Sequence, residues 1–135
     1  MKIEDLKTNL DWALFYCDIG LSIIPAGKDK KPLINWKLYQ DRCATVEEIN
    51  VWWRQWPEAN PALVTGKVSG VVALDLDKKH SRTSKEFSIP PTACAKSGNG
   101  GEHFFFRYPL GTSVKSGVAI SGDGVDCRAD GGYIL

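Results

Sequence analysis

Two periodicities divide the chain. Ile3, Leu6, Leu10, Ala13, Leu14 and Cys17 recur at spacings of three and four, which predicts one apolar face of an amphipathic helix. Gly20 follows as a C-terminal stop, and residues 21–25 (LSIIP) read as a short strand. Thr45-Val-Glu-Glu48 has the form of a capping box, with Thr45 as N-cap. Ile49, Trp52, Trp53 and Trp56 continue from it at helical spacing until Pro57 closes the helix. Tryptophans so spaced belong to a core face before they belong to a base-stacking platform.

From residue 61 onward the period changes to that of strands. Residues 61–66 and 69–77 are apolar, and 67–70 join them at hairpin length. Residues 78–91 are polar and end in two prolines, so they read as a loop. Strands are predicted at 92–95 and 104–108, around a glycine-rich turn, and at 125–128 after the Gly/Ser-rich stretch 110–124. The expected fold is α+β, a central, mostly antiparallel sheet with flanking helices on the face away from the acids. Residues 1–60 form the helix-rich flank and 61–135 the sheet of a single domain. Gly131-Gly132-Tyr133-Ile134-Leu135 reads as a turn and a strand just begun, so a C-terminally truncated domain of a longer protein is expected.

Composition narrows the class. With 43% hydrophobic and 24% charged residues, disorder is excluded. Seventeen basic and 16 acidic residues give a net charge of +1, so any basic surface must be local. Cys17, Cys43, Cys94 and Cys127 are too scattered for a zinc knuckle or a C-x-x-C motif, and free thiols in a reducing cytoplasm are expected. No apolar run reaches about 18 residues, so no membrane partner is expected.

The chemistry gathers on the strands. Asp75 and Asp77 alternate at the end of an apolar run, so both project from one strand face about 7 Å apart. Two carboxylates so close need a cation or a proton between them. Asp126 and Arg128 alternate as well, either as a simple salt bridge or as a third metal ligand and a phosphate clamp. His103 begins a strand and can face the acids if the strands are neighbours. The turn before it, 97–101, permits close backbone approach to a ligand but lacks the Walker pattern. Lys28 and Lys31 lie in a Gly- and Pro-bounded loop, either a solvated turn or a phosphate-facing one. His80, in a polar loop, is read as solvent-exposed.

Taken in order, three segments resemble a known signature: Val-Val-Ala-Leu-Asp75-Leu-Asp77, then Ser97-Gly-Asn-Gly-Gly-Glu-His103, then Val-Asp126-Cys-Arg128 with Gly131-Gly-Tyr. They resemble the motifs of the archaeo-eukaryotic primase superfamily, and more narrowly the bifunctional primase–polymerase domain of plasmid, phage and prophage replication proteins. Lys31-Pro32, the Trp52-Trp53 helix and the Thr65-Gly66 turn fit the same pattern, which runs from about Ala13 to Leu135.

The resemblance implies an RRM-like palm and template-directed nucleotidyl transfer, in both primer synthesis and DNA polymerisation. It implies Asp75, Asp77 and Asp126 as catalytic, metal-binding acids for two Mg2+ or Mn2+ ions. Ser97, His103, Arg128, Lys96 and Lys31 would contact the nucleotide. The implied partners are single-stranded DNA template and primer, nucleoside triphosphates and a helicase domain downstream. Two other classes compete. One is a non-catalytic nucleotide- or nucleic-acid-binding module of a replication protein. The other is a haloacid-dehalogenase-like phosphatase, suggested by the Asp-x-Asp strand, although Lys78-Lys79 follows where a Gly-Thr pair is expected.

Overall fold

The computed structural model describes residues 3–76, 93–96, 101–109, 111, 113–117 and 125–135. The loop expected at 78–91 and the turn through 97–100 lie outside the described residues, as does most of 110–124.

A 3-10 turn at Ile3–Asp5 precedes α1, which runs Asn9–Asp18. The break between them has a local cause. Thr8 Oγ1 accepts the Asp11 amide, while the Asp11 carboxylate accepts the amides of Lys7 and Thr8. These bonds satisfy donors that the first helical turn leaves open. They also hold the Asp11 carboxyl below its ordinary range, the Lys7 amide contributing most. The single face expected from Ile3 to Cys17 is therefore divided. Ile3 is exposed, whereas Leu10, Ala13, Leu14 and Cys17 line the main core. Gly20, at φ +93°, ends the helix with its amide on the Cys17 carbonyl.

Helix α2 runs Val46–Gln55, and the Thr45–Glu48 capping box is present in both directions. Its tryptophans are core residues: Trp53 is 2% exposed, and Trp52 and Trp56 pack against the same cluster. Glu48 has a second task. It takes Arg42 in a 2.8 Å ion pair and accepts the Tyr39 hydroxyl, tying the 3-10 turn Lys37–Gln40 to α2. The Arg42 bond, followed by those of Tyr39 and the Thr45 amide, lowers the Glu48 carboxyl from 4.5 to about 2. A carboxyl depressed by folding stabilises the folded state fully above its unfolded pKa and loses that contribution as pH falls through the folded one. Stability carried by Glu48 should thus be complete above pH 4.5 and fade toward pH 2. Glu48→Ala is expected to cost about 1 kcal/mol near neutral pH, as a lost cap does. Thermal melts of the two proteins should converge as pH drops through that window.

The described residues hold seven strands: β1 Ser22–Ala26, β2 Asn60–Val64, β3 Val71–Leu76, β4 Ala93–Lys96, β5 Glu102–Arg107, β6 Val125–Arg128 and β7 Tyr133–Ile134. They form two sheets, β1-β2-β7 and β4-β5-β3-β6, with every strand pairing antiparallel. The α+β class expected from the sequence is observed. The hairpin expected between residues 61–66 and 69–77 is not, because β2 and β3 belong to different sheets. The turn at 67–70 hands the chain from one sheet to the other, leaving a single Gly66–Val71 bridge.

Helices α1 and α2 pack on β1 and β2, so the flanking layer serves the three-stranded sheet. That packing buries all five residues of β1, together with Ala13, Ile49, Trp53 and Val64. A smaller cluster of Leu76 and Phe104, with Leu74 and Phe106 against it, occupies one face of the four-stranded sheet. Asp130 joins the two sheets. Its carboxylate accepts the Lys67 amide at 2.9 Å and the Tyr108 hydroxyl at 2.7 Å. Gly66, at φ +99°, lets the two connections meet there, since a Cβ would lie 2.8 Å from the Asp130 backbone.

Candidate active site

Period-two alternation sorts the four-stranded sheet into two faces. On β3, Leu74 and Leu76 turn to the apolar cluster, which leaves Ala73 and Asp75 on the other face. Register then completes a row. Asp75 lies opposite His103 of β5 on one side and opposite Asp126 of β6 on the other. Arg128 is two residues along β6, opposite Ala73. Three segments far apart in sequence thus bring two carboxylates, an imidazole and a guanidinium onto one sheet face.

The side chains meet. His103 Nε2 is 3.3 Å from Asp75 Oδ1. Arg128 Nη2 donates to Asp126 Oδ2 at 3.1 Å and lies 3.9 Å from Asp75 Oδ2, too long for a hydrogen bond but within ion-pair range. The guanidinium therefore offsets the repulsion that two facing carboxylates would feel. The His103 side chain is 7% exposed, against 24% for Asp75, 21% for Asp126 and 31% for Arg128. The acids and the guanidinium are the more open members of the row, and the imidazole is the most enclosed. Phe105, on the same strand face, stands edge-on to its ring at 6.4 Å.

The other expected site residues fall elsewhere. Asp77 and Ser97 lie outside the described residues. Lys96 ends β4 in register with Glu102, one position off the row. Lys31 is exposed in the turn after β1, on the other sheet, where its amide donates to Asp29 Oδ1. No motif in the sequence singles out Phe105, although its position two residues after His103 signals a shared face. Asp130 gave no such signal, because its role depends on a long-range contact with Gly66 and Tyr108.

Among the described residues, no group of three or more His, Cys, Asp and Glu side chains is arranged as a metal site. Asp75 and Asp126 do supply a facing pair of hard oxygen donors, the type that Mg2+ or Mn2+ takes while keeping waters of its own.

Fold and site together define an α+β domain with an acid–histidine–arginine row across an antiparallel sheet. The family model for the bifunctional DNA primase/polymerase N-terminal domain matches residues 13–135, and the chain belongs to that family. No curated protein matches the sequence. Membership supports a primase/polymerase-type role in replication. No helix among the described residues is long and apolar enough to cross a membrane.

Proposed function

We propose that this domain catalyses template-directed nucleotidyl transfer, making primers and extending DNA in plasmid, phage or prophage replication. The observation that carries this reading is the row in which Asp75 faces both His103 and Asp126, with Arg128 against the acids. In the reaction a primer 3′-hydroxyl attacks the α-phosphorus of a nucleoside triphosphate on a DNA template, and pyrophosphate leaves. Bound Mg2+ or Mn2+, two ions in this reading, would supply the charge that activates the attacking oxygen and stabilises the leaving one. Asp75 and Asp126 would hold these ions, and Asp77 is the third acid proposed for the set.

The chain's own groups do the rest. Arg128, now paired to Asp126, would fork onto a triphosphate when the acids hold a cation instead. His103, fixed between Asp75 and Phe105, presents a donor to a phosphate oxygen rather than acting as a base. In phosphoryl chemistry such positioning and charge stabilisation supply most of the catalysis. Ser97, Lys96 and Lys31 are further proposed nucleotide contacts, the last requiring approach from the other sheet.

The test is incorporation of labelled nucleotide on a primed template. Incorporation should require both the template and a divalent cation. Cation-dependent release of phosphate from simple esters, with no template-dependent product, would contradict the reading. His103→Ala should lower kcat/KM for nucleotide by about 10- to 100-fold, the worth of a hydrogen bond to a charged group. The loss should fall mainly on KM.

A further inference from the structure

We propose that a groove leading away from the acidic row is a track for single-stranded DNA. The proposal rests on the polymerase reading above and adds the path that the template strand takes.

Two neighbouring hollows make up the proposed groove. One, of about 340 Å³, is apolar and lies between the sheets, with Ala95 and Phe105 in its wall. Ala95 is the register neighbour of His103, and Phe105 packs against its ring, so this hollow abuts the row. The other, of about 400 Å³, is lined by Trp12, Lys28 and Lys30. Tyr16, Pro61 and Leu135 belong to both, which places the two hollows side by side.

Its outer half has the chemistry of a strand-binding surface. Trp12 and Tyr16 are half-buried, with ring centroids 5.7 Å apart and planes inclined by 32°. They offer successive bases an aromatic surface, and stacking of this kind tolerates any sequence. Lys28 and Lys30 are exposed beside the rings, and no Asp or Glu side chain is among the residues lining this hollow. On a chain of net charge +1, that is a local cationic patch suited to phosphates.

The lysine turn is also built rather than loose. Lys30 is held at φ +66°, the Gly27 amide donates to the Lys31 carbonyl, and the Tyr133 hydroxyl donates to the Lys30 carbonyl at 2.8 Å. Rings beside cations suit a single strand, whose bases are free to stack. A duplex shows only its edges and phosphates.

The experiment is fluorescence anisotropy of a labelled 20-nucleotide single strand with the whole chain, in EDTA and without nucleotide, so that catalysis plays no part. Trp12→Ala should weaken binding about 5- to 100-fold, the worth of one stacked base. The paired change Lys28→Ala and Lys30→Asn should reduce the salt slope by about 0.7 per lysine. Asn is used because it tolerates the left-handed backbone. Trp12 lies outside the main core cluster, so the variant should fold, and the lysine pair tests the groove independently of that. Wild-type affinity and slope in both variants would overturn the proposal, as would duplex DNA competing equally well. If the wild-type chain synthesises nothing while these variants lose strand binding, the polymerase reading falls and the groove stands.

Discussion

Asp75→Asn is expected to abolish most template-dependent synthesis while leaving the fold intact. Asparagine keeps the shape of the side chain and removes only its charge. The position is 24% exposed and pairs across strands with His103 and Asp126, so the substitution opens no cavity. It also relieves the like-charge contact with Asp126, so the melting temperature should hold or rise slightly. What disappears is one of two facing anionic oxygen donors. A single preorganised group that stabilises developing charge is commonly worth on the order of 10²–10³-fold in rate, and a cation-holding acid should cost at least that. Primer extension and thermal melts on the same preparation check both halves. An unchanged rate would remove Asp75 from the catalytic set.

Trp53→Ala should do the opposite, destabilising the domain from a position away from the row. Trp53 is 2% exposed and packs with Ile49 and the β1 residues, and its indole Nε1 donates to the Ala59 carbonyl at 3.0 Å. Truncating a buried tryptophan costs about 3–5 kcal/mol, because the void cannot fully collapse. A domain stable by about 5–15 kcal/mol loses much of its margin. The Ala59 carbonyl retains the Asn9 side-chain amide as a second donor, so the dominant loss is packing rather than an orphaned polar group. Urea titration should show a midpoint shift of that size without a large change in slope. Trp53→Phe should fall between the two.

The parts legible in the sequence were those that depend on local rules. The capping box at Thr45 and the helical spacing of the tryptophans predicted α2, and both are present. The start of α1 is not legible, because its box closes with Asp11 instead of Glu or Gln and the apolar spacing runs on through the break at Thr8. The β2–β3 hairpin failed for a longer-range reason. A four-residue connection looks the same whether it closes a hairpin or passes the chain between sheets, and the difference lies in which strand β7 joins.

The site divides the same way. Alternation on each strand set Asp75 apart from Leu76, and Asp126 and Arg128 apart from Cys127. Which residues face one another is a matter of register, visible only once β5 and β6 pair on either side of β3. Lys31, grouped with the site by motif, lies on the other sheet, in the turn after β1. There its neighbour Lys30 lines the groove with Trp12 and Tyr16, residues that no local pattern joins.

In the proposed reaction the Asp75–Asp126 pair holds divalent metal beside a triphosphate. A crystal grown with Mn2+ and a nucleoside triphosphate, read by anomalous scattering, tests it most directly. Manganese is expected within about 2.0–2.3 Å of oxygens from both acids. Arg128 and His103 should then be turned onto phosphate. Manganese and nucleotide bound elsewhere, with Arg128 still paired to Asp126, would contradict it.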